Sequence, residues 1–424
     1  MRKNMKQKNT SHDVILYGAS GFTGRQTARY FADNEETGSL RWAMAGRNQK
    51  KLEQVRKDLG AGFEEVPILV ADSNDMDAVR SMVSQTRVVL NTAGPFALFG
   101  ENIVSACIDY GVDYVDITGE TVFVRYLIDR YHEKARRNTV RIIPFCGFDS
   151  VPADLGTLFL AKHVMRTFDQ ACREIKGFYS ARGGVNGGTL ASLYTLFDMN
   201  QYQQLRDPLI LVPDGNGNSS QAVRQQDPVF PHYDADIGSW TAPFFMAPIN
   251  TRVVRRSHAL FSGWGEGYGQ PFTYQEYTKV GGSMPWLKAF GISAGLATVT
   301  SLCRMSLARS LLKSLSPKPG SGPSKQAMDS GFFRLRLTGK TESGQKVLAI
   351  VEDVGDPGNR VTVKTLCESA LSLALEKEKL PGGNSRGGIL TPATGLGMVL
   401  VNRLSRMGMT FRFEDGADLT HHQR

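Results

Sequence analysis

Cysteine is scarce. The five residues Cys107, Cys146, Cys172, Cys303 and Cys367 are scattered and form no Cys-x-x-Cys pair. That excludes a disulfide framework and a thiolate zinc site, and it fits a reducing compartment where thiols act as small core residues. The seven histidines show no ligand spacing, so no metal is expected. The Gly-x-Ser-x-Gly runs at 291–295 and 383–387 lie in a stretch that reads as helix and in a glycine-rich loop, not between a strand and a helix, so the nucleophile elbow of many hydrolases is not expected. No Tyr-x-x-x-Lys occurs, so the proton-relay pair of ordinary short-chain dehydrogenases is missing. Residues 14–17 are the first apolar run and far too short for the core of a secretion signal, so the expected location is cytoplasmic.

Acids are missing from two stretches. The first ten residues carry Arg2, Lys3, Lys6 and Lys8, and residues 283–328 carry Lys288, Arg304, Arg309, Lys313, Lys318 and Lys325. The whole chain nets +9, so the remainder is nearly neutral. A nucleic-acid binder would interleave basic and aromatic residues across one face. Here the charge flanks an apolar segment, which excludes nucleic acid as the expected partner and points to an anionic lipid surface.

What is present is glycine, 44 residues of 424, and apolar runs that end in it. Such a length accommodates two or three domains. Residues 14–17 lead into Gly18-Ala-Ser20-Gly21-Phe22-Thr23-Gly24, and residues 25–32 read as a helix. Strand, glycine turn and helix form the context of a dinucleotide fingerprint. Gly18 permits the tight turn, Gly21 admits a pyrophosphate to the helix N-terminus, and Gly24 permits close helix–strand packing. The next run, 40–45, ends in Gly46-Arg47 with no acid to take a ribose 2′-hydroxyl. The Arg47 fork suits a 2′-phosphate instead, so NADP(H) is the expected coenzyme.

Further strands are expected at 66–70, 87–90, 114–117 and 140–144, with helices between them. Asp72 follows the third and is placed near the adenine. Thr92, Ala93, Gly94 and Pro95 follow the fourth, where a fold of this type holds the nicotinamide ribose. Six strands alternating with helices read as a doubly wound, Rossmann-type parallel sheet.

The segments GASGFTG, AGR, LNTAGPF, DITGE and GFDSVPADL occur in that order, each at a strand end. Together they resemble the saccharopine dehydrogenase-like oxidoreductase family. Residues 250–257, 317–324 and 387–392 are similar to its bacterial branch, the trans-acting enoyl reductases of complex-lipid polyketide biosynthesis. The resemblance implies an NADPH-dependent enoyl reductase acting on an acyl thioester, free or held on a carrier protein. Two other readings stay open: a reductase of imines or semialdehydes, and a non-catalytic NADP-binding protein on lipid surfaces. The strand-end residues Asp116, Thr118, Glu120, Asp149, Ser150 and Asp154 are the candidates for chemistry. Asp149 and Ser150 stand first, Ser150 as donor to an enolate and Asp149 as acid or orienting group. Asp149 and Asp154 equally suit N-caps for a helix around Pro152.

The alternation stops after residue 150. The expected divisions are a flexible basic N-terminus (1–12), the NADP-binding domain (13–150), an α+β substrate domain with a largely antiparallel sheet (151–362), and C-terminal helices packing back on the first domain (363–424). The glycine-rich stretch 182–189 leads into a helix at 190–197. By resemblance its start, Gly187, Gly188 and Thr189, faces the substrate, although a plain hairpin is an equal reading. Residues 213–240 read as a long surface loop of lid type. Residues 332–338 and 346–351 read as a hairpin with one wet face. In 286–315, Ile292, Leu296, Val299, Cys303, Leu307, Leu311 and Leu315 recur at helical spacing with bases off the stripe. This describes one amphipathic helix lying on a membrane, with a sheet-covering helix or a homodimer contact as the alternatives.

Overall fold

Short apolar runs rich in Val, Ile, Leu and Ala cannot complete a helix, but they can be buried on both faces of a parallel sheet. That is where the first half of the chain puts them. The computed structural model describes residues 10–34, 36, 40–184, 187–213, 224–317 and 320–414. The bases Arg2, Lys3, Lys6 and Lys8 of the expected flexible terminus lie outside the described residues, as do Lys318 and residues 214–223 of the expected loop.

Strands β1 (His12–Tyr17), β2 (Trp42–Gly46), β3 (Ile68–Val70), β4 (Thr86–Asn91), β5 (Asp113–Asp116) and β6 (Arg141–Ile143) form one sheet. Its order is β13-β6-β5-β4-β1-β2-β3, all parallel. The seventh strand, β13 (Gly388–Ile389), arrives from near the chain end and pairs with β6. Val14, Leu16 and Val88 face one side and Ile15, Val89 and Tyr114 the other, in two separate buried clusters. The crossover from β3 to β1/β4 leaves a crevice at the strands' carboxyl ends beside β1, which is where such sheets bind ligands.

The second sheet holds β7 (Cys172–Arg182), β8 (His232–Asp234), β9 (Ser239–Pro243), β10 (Thr273–Val280), β11 (Phe332–Thr341), β12 (Lys346–Val354) and β14 (Thr410–Phe413). The order is β14-β12-β11-β7-β10-β9-β8, antiparallel except for the β7–β10 pair. The expected hairpin is β11–β12. The Rossmann-type sheet with a second, largely antiparallel sheet is therefore the architecture. Residues 213–240 depart from the expected loop: β8 and the start of β9 lie inside it. Polar residues mark this strand pair because it forms the outer edge, where only one face is covered.

The helix Val151–Phe168 packs on β7, β11 and β12 of the second sheet, its first two turns wholly buried. The apolar segment is two helices, Pro285–Arg304 and Ser306–Leu315, not one. The backbone turns extended at Met305, so the seven-residue stripe does not share a face. Cys303 is buried against Tyr194 and Phe197, whereas Leu307 is 86% exposed. The 20-residue helix is long and apolar enough to cross a membrane by length and composition. However, Ala289 near its start and Cys303 near its end are both seated on the protein, so it lies along the body and turns its other side outward.

Candidate functional site

Gly18 sits at φ +83°, a left-handed conformation that costs glycine little. A Cβ there would come within 2.8 Å of Thr92 Oγ1 and 2.9 Å of the Ala93 nitrogen. A Cβ on Gly24 would stand 2.2 Å from the Gly18 oxygen, so this glycine lets the helix Phe22–Asp33 seat directly on the turn. No side chain caps that helix at Gly21, and the amides of Phe22, Thr23 and Gly24 precede the first intrahelical bond, Arg25 N to Gly21 O. These amides and the helix dipole are a ready anion site. The Ser20 carbonyl accepts from Arg25, which leaves the Ser20 side chain at the rim.

Arg47 stands exposed just beyond β2, and no acid accompanies it. Asp72, half-buried beyond β3, closes a turn by accepting from the Asn74 amide at 2.9 Å. Both act electrostatically on Tyr17 at the end of β1, whose phenol donates to the Ala71 carbonyl at 3.2 Å. Arg47, Asp72 and Tyr17, from three strand ends, thus lie together. Thr92 closes the other wall, with its amide and hydroxyl donating to the Tyr17 carbonyl at 2.9 and 3.0 Å. Ala93 donates to Asn91, and Gly94 is exposed with Pro95 half-buried beside it. The uncapped amides of the helix start, the small residues around them and the exposed Arg47 guanidinium are chemically suited to a phosphorylated dinucleotide.

The six strand-end polar residues separate by partner. Asp116 accepts from Tyr114 at 2.8 Å and from the Thr118 amide at 2.9 Å, and Thr118 in turn accepts from the Glu120 amide. Burial pushes the Asp116 carboxyl up to about 7. Glu120 accepts from the amides of Phe96 and Ala97 and from Ser192 Oγ at 2.7 Å, tying the helix Gly187–Asp198 to the Gly94–Pro95 turn. Asp154 accepts from Ser257 and from the Ala393 amide, a structural joint rather than a cap, and its burial pushes it up to about 7.

Asp149 differs from the other acids. Half-buried beside Gly119, it has no hydrogen-bond partner among the described residues, and burial alone pushes its carboxyl up to about 6. It does not cap the following helix. Ser150 occupies the cap position but makes no capping bond. Ser150 is fully buried, with Oγ 3.5 Å from Asn250 Oδ1, so it is turned away from the crevice that its expected role requires.

Gly187, Gly188 and Thr189 begin a helix as expected. The Gly187 amide is already spoken for by the Ser321 carbonyl at 3.1 Å, while Gly188 and Thr189 are exposed. Residues 320–323 form a strap here: Gly320 accepts from Arg25 at 3.2 Å, and a Cβ on Gly322 would collide with the Phe22 ring at 2.3 Å. Sequence reasoning did not single out this strap as cover for the glycine turn, nor Tyr179, Ser192 or Glu276 as neighbours of the site. Glu276 shares one face of β10 with buried Tyr274, an inward carboxylate that the strand pattern could have exposed.

The basic residues of the apolar segment also depart from the sequence reading. Arg309 and Lys313 both pair with Asp198, the former at 2.8 Å, and Arg304 lies 5.2 Å from the Tyr202 ring centre. Arg309 and Lys313 tie the second helix to the body through Asp198, while Arg304 and Lys313 remain exposed.

Residues 14–143 match the saccharopine dehydrogenase NADP-binding domain family. A relative from Mycobacterium tuberculosis, named as a trans-acting enoyl reductase, is 37% identical over 419 residues, covering 94% of this chain and 97% of its own. A trans-acting enoyl reductase from Mycobacterium leprae is 33% identical, with coverage of 96% and 98%. Among solved structures, apo saccharopine dehydrogenase (L-Glu forming) from Saccharomyces cerevisiae aligns with a TM-score of 0.51 at 13% identity. That alignment covers 95% of this chain and 99% of the yeast chain, a likeness of fold.

Proposed function

The chain belongs to the trans-acting enoyl reductase branch of the saccharopine dehydrogenase-like oxidoreductases, and from that membership we propose that it saturates a carbon–carbon double bond in a lipid or polyketide acyl thioester. It is an NADP-dependent oxidoreductase. The amides of Phe22, Thr23 and Gly24 hold the pyrophosphate, Arg47 the 2′-phosphate, Asp72 the adenosine end, and the Thr92–Pro95 turn the nicotinamide ribose. When bound, the coenzyme supplies a hydride.

Hydride addition at the β-carbon moves the double-bond electrons to the thioester oxygen as an enolate. The α-carbon then needs a proton. Asp149 gives it: the carboxyl O–H breaks, the α-carbon C–H forms, and the thioester is untouched. The observation that carries this reading is that Asp149 is the one strand-end acid left unpaired among the described residues, with its proton affinity raised by burial. Ser150 holds the turn rather than the enolate. An imine or semialdehyde reductase would need cations free to bind substrate carboxylates. The buried arginines nearby, Arg252, Arg255 and Arg256, instead donate to the backbone carbonyls of Leu205, Pro208, Tyr274, Leu211 and Ile389.

The second part of the proposal concerns location. Met284, Trp286, Leu287, Phe290, Leu307, Leu311 and Leu315 leave an apolar surface on the paired helices. A surface of this size marks an interaction site. No acid occurs in residues 283–328 to repel anionic headgroups, and Lys288 is exposed. The occupant is a lipid surface on the cytoplasmic side, which also presents the apolar substrate. A second copy of the chain is the competing outcome.

The test feeds purified protein NADPH with α,β-unsaturated acyl thioesters and, separately, saccharopine with NADP. Loss of NADPH with the thioester alone is expected, and Asp149→Asn is expected to lower the rate by about 10²–10⁴-fold. Tight NADPH binding without turnover of either substrate would overturn the enzymatic reading.

A further inference from the structure

The turn Thr92–Pro95 is held from both sides by one continuous chain of hydrogen bonds. The Ala93 amide donates to Asn91 Oδ1 at 2.8 Å, and Asn91 Nδ2 donates to the Tyr114 hydroxyl at 3.0 Å. Tyr114 donates to Asp116 Oδ2 at 2.8 Å, while Asp116 Oδ1 accepts from the Thr118 amide at 2.9 Å. The Thr118 hydroxyl accepts from the Glu120 amide at 3.0 Å. The Glu120 carboxyl then returns to the turn, accepting from the amides of Phe96 at 2.9 Å and Ala97 at 2.7 Å. Asn91, Tyr114, Asp116, Thr118 and Glu120 are all buried. A buried network with its members partnered stiffens the backbone that it joins.

Phe96 and Ala97 open the helix Phe96–Phe99, whose N-cap, Pro95, has no side chain able to accept. Glu120 caps it from a neighbouring strand end, and two amides complete that task. A third donor is surplus to it. Ser192 Oγ, 2.7 Å from Glu120 Oε1, comes from the helix Gly187–Asp198. The start of that helix is tethered as well. Its Gly187 amide donates to the Ser321 carbonyl, in the strap that lies on Phe22 and accepts from Arg25. At its far end Tyr194 and Phe197 pack with Cys303 of the apolar helices. The helix therefore touches the cover of the glycine turn, the Thr92–Pro95 turn and the apolar surface. Its middle contact is one hydroxyl on a fixed carboxyl, which defines a position more sharply than apolar packing does.

We propose that Glu120 is a positioning residue: through Ser192 it sets the helix Gly187–Asp198 against the Thr92–Pro95 turn, so that the acyl thioester is held in register with the nicotinamide. This rests on the reading of the chain as an enoyl reductase whose nicotinamide ribose lies at that turn. Glu120 and Ser192 exchange no proton with the substrate.

The experiment gives the full-length protein NADPH and a decenoyl thioester of coenzyme A, unsaturated between its α- and β-carbons. Ser192→Ala removes one half-buried hydroxyl and leaves both amide bonds to Glu120. It is expected to raise KM for the thioester about tenfold, while the NADPH dissociation constant read by calorimetry stays within about twofold. Ser192→Thr keeps a hydroxyl and is expected to bring KM back. Glu120→Gln has a single accepting oxygen, and either orientation of its amide turns the NH2 toward a backbone N–H. It is expected to weaken NADPH binding and raise the thioester KM together, each about tenfold. Should Glu120→Gln fail to fold, the two Ser192 variants decide alone. An unchanged KM in Ser192→Ala, with wild type turning over the thioester, reduces Glu120 to a helix cap and overturns this proposal alone. Wild type that binds NADPH and leaves the thioester untouched overturns the reductase reading and the proposal with it.

Discussion

Arg47 and Asp149 are both conspicuous for what does not touch them. Arg47 is exposed at the end of β2 and forms no ion pair among the described residues, and under the proposed reading its guanidinium meets the 2′-phosphate. Arg47→Ala is expected to weaken NADPH binding by about tenfold while leaving NADH binding nearly unchanged, as read by calorimetry. Equal losses for both coenzymes would remove the selectivity argument. Glu276 carries a different consequence. Its carboxyl rises from about 4.5 to about 8 on folding, so the folded state binds the proton more tightly. The resulting stability is complete below the lower value and is lost as pH rises through the upper one. Glu276→Gln has no such proton to lose. Its melting temperature is therefore expected to fall less steeply than that of the wild type between those limits.

Among the elements, the parallel sheet was legible because each strand is short, apolar and closed by a small residue at a fixed place. Gly18, Gly46 and Gly94 each mark where the backbone must leave the sheet. The second sheet was legible only at β11–β12, where Leu335 and Leu337 alternate with Arg334 and Arg336 across a wet face. Strands β8 and β9 carry too little apolar alternation to stand out from a polar loop, and Glu276 hides β10 by placing a carboxylate on an inward position. The candidate site shows the same division. The candidate coenzyme turns are local in sequence, whereas Tyr179, Asn250 and Glu276 gather beside the Phe148–Ser150 turn only through contacts between elements distant in sequence. The paired apolar helices lost one feature of their sequence reading and gained another. Arg309 and Lys313 pair with Asp198, yet Leu307 is more exposed than a soluble surface favours. Wild-type protein is expected to co-sediment with anionic vesicles and Leu307→Asp to remain in solution. Equal pelleting, or a concentration-dependent dimer lost in the variant, would assign the surface otherwise.

Across the whole molecule, the chain end joins what the middle builds. Arg403, 1% exposed, donates to Glu368 at 2.8 Å, to Glu376 at 2.9 Å and to Glu36 at 2.6 Å. Tyr30, on the helix that follows the glycine turn, donates to the same Glu368 at 2.7 Å. Removing one partner of a buried network strands the charge it leaves behind. Arg403→Ala is expected to cost about 3–5 kcal/mol in denaturant unfolding, mostly from the stranded Glu368 carboxylate. A loss comparable to that of an exposed ion pair would show that water reaches this joint.

Strand β13 closes one edge of the nucleotide-binding sheet and β14 closes one edge of the other, and both belong to the last few dozen residues described. While the protein is being synthesised, β6 and β12 must therefore emerge from the ribosome with an unfilled hydrogen-bonding rim on each. Neither sheet can be finished before its late strand, β13 or β14, has left the ribosome. A nascent chain paused short of that point would offer two adhesive borders to its neighbours on the same polysome, which makes it a natural client for a holding chaperone.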